Sequence, residues 1–276
     1  MKSMNISYVA SSGNMYGLTT RPLNRILTKS ANYHTWKFEA QATAKMYGER
    51  VAAFKKKAAT YQTVLIIPGG ETQRKAILTA LHDDFERDVR NLSPGRIMFG
   101  EWYCECYIIE SATQPDEKHD LWTENTIEIY VPSGVWVKEE SRTFTAVSTA
   151  PLPTGFLDYQ YDYEYDYTPP MMGNETWETD APFPSDFRME IYGPCVNPQV
   201  AINGYPYLVN AYVPDGSTLV IDSANYTVMM GNQNLFDLRN KAQSVFEKIP
   251  AGALDIEWGG FDFCLTLYEE RSEPKW

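Results

Sequence analysis

Tyrosines and polar or acidic residues alternate strictly between Gly155 and Pro170. A period of two places successive side chains on opposite faces of an extended chain, so this segment predicts a β-strand rather than a helix. Five phenol rings on one face are more apolar surface than a soluble protein normally exposes to water. We therefore predict that this face packs against the rest of the chain, a second copy or another protein. This suspected packing or interface strand contains Tyr159, Tyr161, Tyr163, Tyr165 and Tyr167.

A periodicity close to four predicts one long helix over residues 72–92, after a buried strand from Thr63 to Ile67. The segment Ser93-Pro94-Gly95 ends it. Acidic and basic residues four apart are expected to pair on its outer face, Asp83 with Arg87 and Glu86 with Arg90. The apolar stripe predicted to pack on a sheet consists of Ile77, Leu81, Phe85, Val89 and Leu92.

Strands are predicted on both sides of this helix. Residues 40–59 are ambiguous, because their alanines, lysines and glutamates favour a helix, whereas Gly48 and the β-prone residues that follow favour strands around a turn. Residues 101–109 alternate as a strand, and Ser111 to Asp120 is predicted to be a polar loop. The two faces of that strand hold Trp102, Cys104, Cys106 and Ile108 on one side and Tyr103, Tyr107 and Ile109 on the other.

The C-terminal third is a series of short strands and turns. Asn203-Gly204 between two apolar runs predicts a hairpin, and Pro214-Asp215-Gly216 predicts another turn. One helical turn or a short helix is expected near Phe236 to Phe246. Turns at intervals of eight to twelve residues are typical of a β-sandwich.

The fold class predicted from these patterns is mainly β with one long helix. We expect three parts: an N-terminal domain of residues 1–147 with helix 72–92, a linker of residues 148–184 with the tyrosine-rich strand, and a sandwich of residues 185–276. A chain of 276 residues is long enough for two domains.

Composition narrows the possible partners. The net charge of −12 disfavours direct contact with DNA and with an anionic membrane surface. The N-terminus lacks the apolar core of a signal peptide, and no apolar run is long enough to span a bilayer. Four scattered cysteines indicate reduced thiols made in a cytosol.

The sequence offers little catalytic or metal-binding chemistry. His34, His82 and His119 lie on different elements, and no hydrolase, zinc-protease or nucleotide-binding motif occurs. Cys104 and Cys106 are interpreted as core residues rather than as half of a zinc site. The acidic face of the tyrosine strand is interpreted as solvated, with calcium as the alternative. The abundant carboxylates leave a glycosidase open without indicating a pair.

Several segments, in order, resemble the distal tail proteins of long-tailed bacteriophages, mainly those that infect Gram-positive hosts. Together they cover most of the chain from about residue 60 onward. They are LHDDFERDVRNLSPGRIMFGEWYCECYIIES from Leu81, DYQYDYEYDY from Asp158, MEIYGPCVNPQVAINGYPY from Met189, LVIDSANYTV from Leu219 and IPAGALDIEWGGFDFCLTLYEERSEPKW from Ile249.

This resemblance implies a β-sandwich-like N-terminal domain that forms a ring of six copies at the end of the tail tube. It also implies a galectin-like C-terminal sandwich that projects outwards. The ring would join the tail tube protein to tail-tip, baseplate or receptor-binding proteins in the virion, after synthesis in the host bacterial cytoplasm. Catalysis and a cofactor are not expected, and DNA would pass an acidic channel without specific contacts.

The galectin comparison makes a sugar-binding role testable. Sugar-binding galectins carry a His-x-Asn-x-Arg strand beside a stacking tryptophan, and no histidine follows His119. Trp258 and Tyr268 are candidates to stack on sugars, although a core position is expected for Trp258. The leading hypothesis is therefore a structural tail-tip protein, the alternative is a carbohydrate-binding adhesion module, and a sandwich hydrolase is the third.

Overall fold

The computed structural model describes residues 6–19, 24–26, 36–42, 49–115, 122–146 and 172–274. The chain separates into two compact units, Met1–Lys138 with Glu270–Trp276 and Glu139–Glu269. The five tyrosines of the predicted interface strand lie outside the described residues, as do residues 147–171, so the linker stays a prediction. The mainly β fold with one long helix is confirmed.

The first unit contains antiparallel strands and the only α-helix in the described residues. Its elements are β1 (Ile6–Val9), β2 (Met15–Gly17), β3 (Asn24–Ile26), β4 (Lys37–Ala42), β5 (Glu49–Lys55), β6 (Ala59–Pro68), α1 (Glu71–Arg90), β7 (Gly95–Phe99), β8 (Trp102–Pro115), β9 (Trp122–Val131) and the start of β10 (Trp136–Phe144).

Strand β8 is the centre of this unit. Its first five residues pair with β7, which continues through β1 to β2, and its later residues pair with β9, which continues through β6 to β3. Leu81 and Phe85 of α1 join the buried cluster formed by these strands. Cys104 and Cys106 lie in the same core, as predicted.

The predicted apolar stripe of α1 is wrong at its C-terminal end. Val89 is 41% exposed, and Leu92 is 81% exposed and lies beyond the last helical residue. Asp84 and Asp88 are buried instead. The buried face is displaced because the N-terminal strand and turn cover the two carboxylates with hydrogen bonds, as described below.

Two further expectations for this unit are decided by strand pairing. The predicted polar loop at Ser111 is wrong as far as Pro115, because these residues pair in register with Thr123 to Ile127 of β9. In the ambiguous region, the strand alternative is correct for the described residues, since β4 and β5 form an antiparallel hairpin.

The second unit is a β-sandwich, as predicted. Its strands after β10 are β11 (Met172–Glu178), β12 (Asp186–Tyr192), β13 (Cys195–Val196), β14 (Gln199–Ile202), β15 (Tyr205–Leu208), β16 (Tyr212–Val213), β17 (Thr218–Asp222), β18 (Thr227–Met230), β19 (Gln233–Asn234), β20 (Ala253–Gly259) and β21 (Phe263–Arg271).

The larger sheet of the sandwich has the order β19-β18-β17-β12-β21-β10, and the smaller sheet has the order β11-β20-β14-β15. Alternate residues of both sheets form one core, with Phe187 and Phe263 from the larger sheet and Ile256 from the smaller. The predicted turn at Asn203-Gly204 joins β14 to β15, with φ of 50° and 77°, as a two-residue hairpin turn requires.

Of the helical turn or short helix predicted near Phe236 to Phe246, the structure shows the helical turn, a three-residue 3-10 turn at Phe236–Leu238. Side chains of this segment bond to nearby backbone instead. The Asn240 side-chain oxygen accepts from the Ala242 N–H at 3.0 Å, and the Ser244 hydroxyl accepts from the Phe246 N–H at 3.2 Å. Such local bonds compete with helical ones.

Candidate interaction surfaces

Two buried carboxylates attach α1 to the N-terminus of the chain. Asp88 accepts hydrogen bonds from the Tyr8 hydroxyl, from the Ser11 hydroxyl at 2.5 Å and from the Ser11 N–H at 3.1 Å. These donors lie at the end of β1 and in the turn that follows it. The side chain of Asp88 is therefore satisfied although it is closed to water.

Asp84, one helical turn earlier, is held by residues of the turn between β1 and β2 and by Tyr16 of β2. Its oxygens accept from the Ser12 hydroxyl at 2.9 Å, the Asn14 amide at 2.9 Å and the Tyr16 hydroxyl at 2.5 Å. Arg87 adds an ion pair at 2.6 Å. Arg87 thus pairs with Asp84 at a spacing of three, and this ion pair differs from the predicted one with Asp83.

These contacts shift the pKa values of both partners. Burial by itself raises the pKa of Asp84, but the hydrogen bonds and Arg87 outweigh it, and the net pKa is lowered. Burial and the bond to Asp88 raise the pKa of Tyr8, and burial and the bond to Asp84 raise that of Tyr16. The carboxylate of Asp84 therefore stays ionised, and the phenols of Tyr8 and Tyr16 stay protonated at neutral pH.

A second polar cluster joins α1 to β8 and β9. The Ser111 hydroxyl lies 2.9 Å from His82 Nε2, and the Asn125 amide donates to Ser111 at 3.0 Å and to Thr113 at 2.8 Å. Sequence reasoning missed this cluster because His82, Ser111 and Asn125 are far apart in sequence, and Ser111 was expected in a loop. The cluster fixes the helix over the strand.

A groove of about 430 Å³ opens beside this cluster, between α1 and β8. We call it the helix groove. Its apolar surface is formed by Phe85, Val89, Ile108 and Ile109, and its charged rim by Glu86, Arg90 and Glu110.

Ile109 reaches the helix groove because β8 has a bulge there. Ile108 pairs with Ile129 and Glu110 with Glu128, so Ile109 has no cross-strand partner. A bulge turns the extra residue away from the regular alternation. The bulge leaves Ile109 exposed at the groove, whereas its neighbour Ile108 is buried.

The hairpin of β4 and β5 has a solvent-exposed apolar face. Phe38 and Phe54 are directly opposite each other and are 64% and 63% exposed. Ala40 is opposite Val51, which is also exposed. Trp36, two residues before Phe38, continues this side of the strand. We call Trp36, Phe38, Val51 and Phe54 the hairpin face.

A groove of about 600 Å³, the sheet groove, lies on the smaller sheet of the second unit. Asn174 and Ala201 flank Glu257 in neighbouring strands, and Gln199 lies two residues before Ala201 on β14. The indole of Trp258, only 3% exposed, belongs to the core as predicted, and its N–H is buried without a hydrogen-bond partner. The exposed Val196 adds an apolar rim.

The two core cysteines, Cys104 and Cys106, do not provide a reactive site. Burial raises the pKa of the Cys104 thiol to about 12 and that of Cys106 well above its ordinary value. Within the described ranges, no group of three or more histidine, cysteine or acidic side chains is arranged to hold a metal ion. No helix in the described part of the chain is long and apolar enough to cross a membrane.

Comparison with solved structures identifies the fold. The crystal structure of Dit from phage SPP1, described as a paradigm of the hub of adsorption apparatuses in phages that infect Gram-positive bacteria, matches with a TM-score of 0.59 at 10% identity. The match covers 98% of this chain and all of the SPP1 chain.

Two structures of the phage p2 baseplate in its activated conformation, with calcium and with strontium, contain similar chains. Their TM-scores are 0.58 and 0.60 at 10% and 9% identity, and each match covers 98% of this chain and 99% of the other. Neither protein-family profiles nor curated protein sequences match this chain. The resemblance found in the sequence is confirmed as one of fold, and this chain has the fold of phage Dit hub and baseplate proteins.

Proposed function

We propose that this chain is a structural, non-enzymatic protein of a phage tail tip. The observation that carries the proposal is the fold match, which extends over 98% of this chain and the whole of SPP1 Dit, so both units are included. The landmarks from Leu81 to Trp276 support the same conclusion from the sequence.

In this proposal six copies form a ring at the distal end of the tail. The ring joins the tail tube protein to tail-tip, baseplate or receptor-binding proteins and surrounds the DNA channel. The net charge of −12 supports a channel along which DNA slides, because like charges repel and the phosphates find few basic partners. The chain is made in the bacterial cytoplasm and becomes part of the virion.

Native mass spectrometry and negative-stain microscopy of the purified chain test the proposal. We expect a particle of six times the chain mass of 31.5 kDa, with a central hole. Antibodies against the chain should label the distal end of the tail in virions that carry it. Labelling along the tube or on the head, or persistent monomers in both assays, would contradict the proposal.

The sheet groove favours a second candidate function, carbohydrate binding by the second unit. Amide and carboxylate side chains on a sheet face, beside the exposed Val196, match the mixture of hydrogen bonds and apolar contact that binds small polar ligands. We expect Asn174→Ala to abolish any glycan-array signal, and Glu178→Ala, on the same strand outside the groove, to retain it. An array without signal for the wild-type chain eliminates this candidate.

A further inference from the structure

The hairpin of β4 and β5 is amphipathic because of one irregularity in its register. Glu39 pairs with Ala53 and Ala40 pairs with Val51, so Ala52 is an extra residue in β5. In a regularly alternating strand, Val51 and Phe54 would lie on opposite sides, since they are three positions apart. The bulge places both on the side of Phe38, and the opposite side carries Lys37, Glu39, Gln41, Arg50 and Lys55.

Among the described strands, none supports this hairpin. In the described part of the chain, β4 and β5 form a separate two-stranded sheet. An isolated two-stranded hairpin is only marginally stable in water, and one that exposes two phenylalanines loses the benefit of burying them. A contact that covers the hairpin face would stabilise both the fold of the hairpin and the complex.

The helix groove has the complementary properties on the same unit. Its apolar surface includes the exposed Val89 and Ile109, and its volume of about 430 Å³ is in the range of pockets that hold several side-chain-sized groups. The ion pair of Arg90 with Glu86 and the carboxylate of Glu110 form a polar rim around this apolar centre, as in protein interfaces.

Charge favours a second copy of this chain as the partner of the hairpin. Residues 36–42 and 49–57 hold five basic and two acidic side chains, in a chain with a net charge of −12. The hairpin is therefore a basic element on an otherwise acidic molecule. Electrostatic attraction steers such an element towards another copy, and the carboxylate of Glu110 marks an acidic position at the helix groove.

We propose that the hairpin face of one copy docks into the helix groove of the next copy. Both surfaces are exposed in one chain, so each copy offers one of each, and the contact is head-to-tail. Such a contact generates a ring when the rotation between copies closes. This inference rests on the proposed function and adds to it the surfaces that would make the ring.

The test uses two double variants of the full chain. The hairpin variant combines Phe38→Asp with Phe54→Asp, and the groove variant combines Val89→Asp with Ile109→Asp. All four residues are exposed, so both variants should fold, and their unfolding temperatures check this. The controls are Gln41→Asp, on the polar side of the hairpin, and Thr79→Asp, on an exposed part of α1.

Light scattering after size-exclusion chromatography gives the mass of each particle. We expect each double variant to associate about thirtyfold or more weakly than the wild type, as for an interface that loses central contacts. The controls should assemble like the wild type. An equimolar mixture of the two double variants should form particles of two chains, because the intact hairpin of one fits the intact groove of the other.

Three other results would overturn the docking proposal. Assembly of the groove variant alone, with loss in the hairpin variant, would show that the hairpin contacts another surface. Wild-type-like rings from both variants would leave the proposed function standing and eliminate this docking. A wild-type chain that remains monomeric at its highest soluble concentration would contradict both.

Discussion

Tyr8 and Asp88, 80 residues apart in the chain, share a buried hydrogen bond. The hydroxyl of Tyr8 donates to the carboxylate, and both side chains are closed to solvent. Gly95 provides the space for this contact, because a Cβ at that position would lie 2.4 Å from the Tyr8 hydroxyl oxygen. The N-terminal strand, the helix and β7 thus meet at one polar contact in an otherwise apolar core.

Removing the carboxylate should destabilise the first unit strongly. We expect Asp88→Ala to lower the free energy of unfolding by about 2–4 kcal/mol, because the buried Tyr8 hydroxyl and the Ser11 N–H lose their acceptor. Urea denaturation measures the change. Asp83→Ala, at an exposed position of the same helix, is the control and should stay within about 0.5 kcal/mol of the wild type. A similar small effect of Asp88→Ala would refute the assigned role.

Acid should weaken the attachment of α1. The lowered pKa of Asp84 means that its stabilising contribution is complete above the unfolded pKa, about 3.9, and is lost as the pH falls through the folded value. We expect Asp84→Asn to be less stable at neutral pH and to lose less additional stability between about pH 5 and pH 2. Urea midpoints across this range provide the measurement. Parallel curves for the two proteins would show that Asp84 does not contribute to the acid response.

Alkali should act through the phenols of the same cluster. The pKa of Tyr16 is raised by burial and by its bond to Asp84. Its contribution is therefore complete below the unfolded pKa, about 10, and is lost as the pH rises towards the folded value. We expect Tyr16→Phe to reduce the decline in stability above about pH 10. A variant that declines as steeply as the wild type would contradict this.

Gly173 should not tolerate a side chain. A Cβ at this position would lie 2.2 Å from ring atoms of Trp258, its cross-strand partner, which is packed in the core. We expect Gly173→Ala to cost about 1–3 kcal/mol, because the indole must move. Gly259→Ala is the matched control, since its added Cβ would meet Phe261 at an ordinary distance of 3.6 Å. Equal melting temperatures for the two variants would show that the ring moves freely.

The thiols should fall into two classes when a thiol reagent is added to the native chain. Cys195 and Cys264 are partly exposed and should react first, whereas Cys104 and Cys106 are buried with raised pKa values and should react only after unfolding. Mass spectrometry of labelled peptides identifies each site. Early labelling of Cys104 would show that the core of the first unit opens readily.

The sequence predicted the features that depend on local pattern. The twofold alternation around Trp102 and the turn at Asn203-Gly204 gave the strand and the hairpin that the structure shows. The resemblance to phage tail proteins predicted the fold. Periodicity alone would have predicted only the class, a mainly β chain. The strand and the hairpin could be predicted because each depends on about ten consecutive residues. The fold could be predicted because several segments that resemble the family occur in the same order.

Features that depend on distant partners were not predictable in this way. Asp84 and Asp88 were not part of the predicted buried stripe, because the donors that hold them lie in the first sixteen residues. The bulges at Ala52 and Ile109 each shift the alternation by one residue, and the short pattern of these segments does not show where the shift occurs. The hairpin face and the helix groove could therefore be identified only once the pairing of the strands was known.

The extra residue at Ala52 has a consequence for how this chain could change during evolution. Inserting a single residue opposite Ala52, between Glu39 and Ala40, would restore regular alternation in β5, move Val51 to the charged side and interrupt the hairpin face. The self-association proposed above would then be lost without any change in the identity of an aromatic residue. The self-association of this chain therefore depends on the number of residues in each strand as well as on their chemistry.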